Sequence, residues 1–504
     1  MVFRSSSTSD VEARESSPAT ARTRRFSDRS VGLLVGVGAF GLYLLCQRSA
    51  IPSYDGKIML AVAKSMAHGT LSIGPTDDVY GRNTPYSHYG IGVSLFALPF
   101  FVIEQAWHLP RSSAVTLTNP ALLSMTAWVL FAIGRRLGWS RGLSLVAPFV
   151  FVVGGMTAWA STELFSEPGI CLAVSLLVLG LIGWSRAERS GPLIAGLAFG
   201  LGLLFRTDTV VTMGLALVAL PLLVPFGRLL RGWRDLVAFS LPVVASLAWI
   251  AFYAEKRDHQ LMPAVYGGRF SSRGWPHGLW GLTVSHGVGI VWYAPCLLVG
   301  IPGLYVLWRK NTGLAAVLLL LVVTRPVVFA GWSDWKGGVS WGPRFLLPCA
   351  VPLCLLVASA VSATVPWRSP VRWLARGLVG ALVAVSAWIS VASVAVPYEA
   401  AWRHTMVIPM GTAPSDRAVV AIQNATRYEH SFAASPLGFD LDHAFVPSPY
   451  FPLRHWRGGV SPIGMLGILL AVAGWGGAVA LSRRDVGQEA QSDVDLVVSP
   501  VAES

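Results

Sequence analysis

Apolar runs of about 20 residues, parted by short arginine-bearing segments, recur along this chain from residue 31 to residue 481. Coiled as a helix, a run of that length matches the roughly 30 Å hydrocarbon thickness of a bilayer. Charged residues make up only 13% of the 504 positions, about half the share found in soluble domains. The chain is therefore expected to be an all-α polytopic membrane protein. Its net charge of +13 comes largely from Arg in short loops, which marks cytoplasmic loops rather than a nucleic-acid surface.

The basic clusters set the topology. They fall at Arg135/Arg136/Arg141, Arg186/Arg189, Arg228/Arg231/Arg234, Arg309/Lys310, Arg368/Arg372/Arg376 and Arg483/Arg484. The apolar runs lie near 31–50, 113–134, 142–160, 168–185, 191–206, 208–226, 236–254, 288–308, 312–330, 344–363, 374–396 and 461–481. Counted as about twelve transmembrane helices, with the N-terminus inside, they put every cluster on the cytoplasmic side. Residues 89–107, "YGIGVSLFALPFFVIEQAW", would turn every later loop outward if they crossed; Pro99 and Glu104 also argue against a crossing. They are expected to lie in the outer leaflet, within a long first extracytoplasmic loop, 51–112, carrying membrane-surface helices. Residues 1–30 read as a disordered basic tail and 31–396 as the transmembrane core. An outer segment at 397–460, a last span at 461–482 and a cytoplasmic tail at 483–504 complete the chain.

Chemistry on the cytoplasmic side has little support, since no nucleotide-binding glycine motif and no internal repeat occurs. The five cysteines sit inside apolar runs without metal-type spacing and read as small hydrophobes. The outer segments hold the candidates. "SYDGKIMLAVAKSMAHG" places Asp55 at the start of an amphipathic helix with Ile58, Met59, Val62 and Met66 on one face. On position alone Asp55 is either the helix cap or a positioned base. Further on, "TDDVYGRNTPYSHYGIG" crowds Asp77, Asp78, Tyr86, His88 and Tyr89 against the membrane; the two acids read as a metal or acceptor site, or as a solvated turn. In "STELFSEP", Pro168 and Ser166 mark a helix start, so Glu167 complements the helix dipole, while Glu163 has no such structural reason. Arg206 and Asp208 sit two residues apart at membrane depth, as a structural pair or an anion site. "SDWKGGVSWGPRF" offers Asp334, Lys336 and Arg344, with Arg344 at the outer end of a helix as a phosphate fork or an interfacial anchor. Arg269 and Arg273 join the same face.

Taken in order, "YDG", "NTPYSHYGIG", "ELFSEP", "LFRTD", "SHGVGIVWYAP" and "WGPRFLLP" resemble the GT-C superfamily of membrane glycosyltransferases. The likeness runs from about 31 to 363 and is strongest to bacterial relatives of protein O-mannosyltransferases and of the lipid A aminoarabinose transferase. It implies a helix bundle whose first outer loop carries the catalytic carboxylate, at Asp55, with Glu163 as the second acid. It also implies a donor phosphate held by Arg344 or Arg269; Asp78, Tyr89 and Lys336, from the same outer segments, are the further substrate-binding candidates. The chain departs from members with an acidic pair in that loop, since Gly56 and Lys57 follow Asp55.

The implied reaction is inverting transfer of a sugar from a polyprenyl-phosphate-linked donor to an envelope glycan, lipid or protein acceptor, at the outer face of the cell membrane. The cofactor is left open: a divalent metal has no clear ligand set, and no metal site is assigned. Besides donor and acceptor, the expected partner is the lipid bilayer, and nucleic acid is not one. The rival reading is a transporter or flippase of lipid-linked sugars, which expects acids at the bilayer midplane and repeated halves; a catalytically inert scaffold is a third.

Overall fold

The computed structural model describes residues 18–47, 51, 53–73, 85–110, 112–226, 229, 232–260, 270–338, 340–364, 369–396, 435, 437 and 462–497. Among these residues there is no β-strand, only one isolated bridge between Phe270 and Trp332. Eight helices are long and apolar enough to cross a membrane: Asp28–Leu45, Val115–Arg136, Glu167–Ser185, Trp233–Asp258, Thr312–Ala330, Arg344–Ala363, Pro370–Ala395 and Ile463–Arg483. Shorter apolar helices occupy Gly92–Ala106, Arg141–Gly154, Ser190–Phe205 and Thr209–Leu223. The chain is a multi-pass, mostly helical membrane protein. Asp77, Asp78 and Arg269 lie outside the described residues, as does 397–460 apart from 435 and 437.

Both ends of the chain are more helical than the sequence reading allowed. The first helix runs from Pro18 to Leu45, because the stretch before residue 30 is rich in Ala and Arg, which favour helix. Asp28 then pairs with Arg135 at 3.1 Å and Arg141 at 2.7 Å, tying this helix to a basic cluster. The last helix continues through the expected tail, from Pro462 to Val497.

These two terminal helices pack along each other. Their contact is made of glycine. A Cβ on Gly41 would come within 2.4 Å of the Ala471 backbone nitrogen, and one on Gly474 within 2.3 Å of the Gly38 nitrogen. Lipid tails offer no hydrophobic gain for helix pairing, so close backbone approach of this kind supplies the van der Waals contact.

The first outer loop packs two helices on each other, Tyr54–Ala67 and Gly92–Ala106. The second, of 15 residues, is about 22 Å long at 1.5 Å per residue, short of the hydrocarbon thickness. Glu104, 3% exposed, accepts from the Ser112 nitrogen at 2.7 Å and the Ala114 nitrogen at 3.3 Å. It thereby satisfies orphan backbone donors just ahead of the Thr118–Arg136 helix.

Gly474→Leu should separate the terminal helices and cost about 1–3 kcal/mol, since backbone cannot retreat as a side chain can. Gly476→Leu is the control, because a Cβ there meets nothing within 4 Å. Thermal unfolding of the two variants in matched bilayers tests this; equal stability would show that the glycine contact does not hold the pair.

Candidate active site

The Tyr54–Ala67 helix has its own cap. Ser53 is extended, and its hydroxyl accepts from the Gly56 nitrogen at 3.2 Å. The cap role left open for Asp55 therefore belongs to Ser53, and Asp55 sits inside the first turn with its carboxylate directed elsewhere. Gly56 allows this seat: a Cβ there would strike Ile51 at 2.6 Å and meet Leu164 at 3.2 Å. The helix is thus drawn against the turn that precedes the Glu167–Ser185 helix.

The Asp55 carboxylate is held from two sides. Tyr89 donates its hydroxyl to Oδ1 at 2.5 Å, and Arg344 Nη2 lies 2.9 Å from Oδ2. Arg344 Nε bonds Glu167 Oε1 at 3.1 Å, and Arg206 Nη1 reaches the same oxygen at 3.1 Å. Arg206 Nε donates to Asp208 at 2.7 Å, and Arg325 Nη1 stands 3.8 Å from the other Asp208 oxygen. The result is an alternating chain of three carboxylates and three guanidiniums. Aromatic faces line it: Arg344 lies 3.6 Å from the Phe165 ring centroid, Arg206 4.9 Å from that of Phe345, and Arg325 5.1 Å from that of Phe329.

Of the three carboxylate side chains Asp55 is the most exposed, at 24%, against 12% for Asp208 and 1% for Glu167. Asp55 is the carboxylate a substrate can reach. Arg344, its partner, also lines a cleft with Glu167, Phe165, Trp159 and Trp341. Burial alone would raise the Asp55 carboxyl, but the Arg344 charge, the Tyr89 hydroxyl and the Arg344 hydrogen bond outweigh it. The group is held below its usual value of 3.8 and is charged at neutral pH.

Four segments read as outer loops from the sequence thus meet: 53–56, 163–167, 206–208 and the start of the Arg344 helix. The two acids of the 163–167 segment sit differently. Glu163 is buried, with its carbonyl accepting from Asn119 Nδ2, while the ion pairs to Arg344 and Arg206 run through Glu167, one turn later. Lys336 is half-buried, 5.4 Å from the Trp335 ring centroid. Arg325, 2% exposed, was missed by the sequence reading, though an arginine inside the apolar run "LLLLVVTRPVVFA" is itself a signal of function or pairing. Among the described residues, no group of three or more His, Cys, Asp or Glu is placed to hold a metal ion.

No family model matches the chain. Among curated proteins it is 25% identical over 305 residues to the undecaprenyl phosphate-alpha-4-amino-4-deoxy-L-arabinose arabinosyl transferase of Pseudomonas aeruginosa, covering 54% of this chain and 51% of that protein. It is 26% identical over 269 residues to the transferase of the same description from Erwinia tasmaniensis, covering 49% and 45%. The chain is similar to the aminoarabinose transferases. It spans about half the length of the curated relatives it matches. The crystal structure of ArnT from Cupriavidus metallidurans bound to undecaprenyl phosphate superposes with a TM-score of 0.49 at 15% identity, over 91% of this chain and 78% of that one. The archaeal oligosaccharyltransferase AglB from Archaeoglobus fulgidus superposes at 0.48 and 12% identity, over 79% and 60%. The resemblance drawn from the motifs is thus met in the curated relatives.

A double-mutant cycle tests the Tyr89–Asp55 contact. A hydrogen bond to a charged group contributes about 1.5–3 kcal/mol, so Tyr89→Phe and Asp55→Asn should couple by about 1–2 kcal/mol near pH 7. The sign with pH follows from the lowered value: the contribution is present above 3.8 and is lost as pH falls through the folded value. Unfolding measured at pH 7 and at successively lower pH checks both parts; zero coupling at pH 7 would remove Tyr89 from the Asp55 site.

Proposed function

We propose that the chain is a membrane glycosyltransferase that moves a sugar from a polyprenyl-phosphate donor to a hydroxyl acceptor at the extracytoplasmic face of the cell membrane. The observation that carries this reading is the Asp55 carboxylate, reachable, ionised and held between Tyr89 and Arg344 where four loop segments converge. The relatives are themselves transferases of a sugar carried on undecaprenyl phosphate, which supports the same reaction class here.

In the proposed step the donor phosphate draws the Arg344 fork away from Asp55 and is bound by it. Asp55 then takes the proton of the acceptor hydroxyl as the oxygen attacks the anomeric carbon. The bond from that carbon to the phosphate oxygen breaks, and the phosphate leaves with the electron pair, its developing charge met by Arg344. Single displacement inverts the anomeric centre. Glu167 and Arg206 hold Arg344 in register. A transporter places charge at the bilayer midplane; Arg325, inside the Thr312–Ala330 helix, is instead paired to Asp208 beside the converging turns.

The topology belongs to the same proposal. Twelve crossings with both termini inside leave Gly92–Ala106 in the outer leaflet, and cysteines placed at positions 78 and 110 should be labelled from the same, outer side. Labelling from opposite sides would sink the count.

Asp55→Asn keeps the shape but cannot accept a proton. It should lower turnover about 100-fold or more at matched membrane levels, with donor binding retained. Wild-type turnover in that variant would overturn Asp55 as base. Arg344→Ala should weaken donor binding more than Arg344→Lys, because a planar fork fits phosphate better than a point charge. Unchanged donor affinity in the Ala variant would take Arg344 out of the phosphate site.

A further inference from the structure

Tyr89 touches two things at once. Its hydroxyl holds Asp55, and the residue lines a second pocket that Arg344 does not border. The opposite wall is one face of the Trp233–Asp258 helix, where Trp249, Tyr253 and Arg257 follow at intervals of four. Trp249 and Tyr253 are half-buried, and their rings lie 16° from parallel with centroids 6.4 Å apart, presenting adjacent aromatic faces. The wall is fixed to the first outer loop, since the Ser87 nitrogen donates to the Tyr253 hydroxyl at 3.1 Å and Arg257 Nη1 to the Ser87 carbonyl at 3.3 Å.

Arg257 decides the chemistry. It is 8% exposed, and its charge is already met by Asp258, 2.5 Å from Nη2. Its Nε is buried with no hydrogen-bond partner. A donor left so costs free energy until an acceptor arrives. An anion gains little from a guanidinium whose charge is spent, and an alkyl chain leaves the N–H unmet. A neutral sugar ring suits both walls: its C–H face packs on aromatic rings, and its hydroxyl or ring oxygen accepts from Nε once a small shift of the Arg257 side chain opens that donor to the pocket.

We propose that this pocket is the acceptor subsite and takes a neutral sugar ring of a glycan. The inference rests on the transferase reading and names the acceptor class for it. Asp55 then stands between two substrates, with the donor phosphate approaching its Oδ2 side through Arg344 and the acceptor hydroxyl its Oδ1 side past Tyr89. The proton passes from the acceptor hydroxyl to Asp55, the glycosidic bond forms at the anomeric carbon, and polyprenyl phosphate departs.

The test uses the full chain in lipid nanodiscs free of glycoside detergent. The probe is octyl glucoside carrying a photoreactive diazirine on the sugar, with attachment mapped by mass spectrometry. Label is expected on residues 86–91 and 249–257, and plain octyl glucoside should compete for it. Trp249→Leu should cut labelling about tenfold, and Trp249→Phe, which keeps a ring, should retain most of it. Undecaprenyl phosphate affinity, measured separately, should stay within about twofold of wild type in both variants. Labelling elsewhere, labelling indifferent to Trp249→Leu, or competition only by octyl phosphate or by an octyl-tagged serine and threonine peptide would each overturn the acceptor assignment. If undecaprenyl phosphate binds and the pocket is not labelled, this inference alone fails. If undecaprenyl phosphate binds neither wild type nor variants, the transferase reading fails with it.

Discussion

Charge buried near a membrane must be neutralised where it stands, and the Asp55–Arg344–Glu167–Arg206–Asp208–Arg325 chain is how this protein meets that constraint. Moving one ion out of water costs several kcal/mol even after relaxation, so none of the six could stand alone at 1–24% side-chain exposure. Alternation of sign solves the problem for the interior members. It also couples loops that are far apart in sequence: residue 55 to residue 344, 344 to 167, 167 to 206 and 208 to 325. The arrangement of the site is therefore a consequence of pairing as much as of helix packing.

The two ends of this chain differ. Arg325 is enclosed, its Nε donating to the Phe345 carbonyl at 2.8 Å while it lies over Phe329; Pro326, next to it in the Thr312–Ala330 helix, removes one backbone donor. Asp55 is the open end, joined through Arg344 to the cleft that Arg344 lines and through Tyr89 to the aromatic pocket. A tail of alternating ion pairs holding a reachable carboxylate is the pre-organisation that positioned catalysis requires.

Much of this was legible in the sequence and some was not, for physical reasons. Apolar length identifies the long helices, because hydrocarbon thickness fixes it. It does not reveal the helical extension before residue 30 or beyond residue 482, since those stretches carry no long apolar run. Asp55, Tyr89 and Arg344 could be singled out as charged or aromatic residues in outer segments, and the structure brings these three together. The choice between Glu163 and Glu167 was not legible. A carboxylate in the first turn of a helix has an ordinary explanation in the dipole, and only the three-dimensional approach of Arg344 and Arg206 shows Glu167 doing something more. Arg325 was hidden by averaging, since one charge in a strongly apolar run barely alters its hydropathy.

A base held by an arginine is at first sight a poor base, because the arginine that keeps Asp55 ionised also lowers its affinity for a proton. The same geometry resolves the difficulty within the proposed reaction. Arg344 is the group suited to phosphate, and its two carboxylate bonds to Asp55 and Glu167 leave it anchored by Glu167 when the Asp55 bond is exchanged for a donor oxygen. Withdrawing Arg344 takes away the largest influence holding the Asp55 carboxyl low, while Tyr89 still fixes its orientation. Burial, which always pushes the group upward, then acts with less opposition, and the carboxylate becomes a better proton acceptor once a donor is in place. An empty site keeps its carboxylate masked, and the ion pair that stabilises the resting protein becomes the means by which one substrate readies the site for the other.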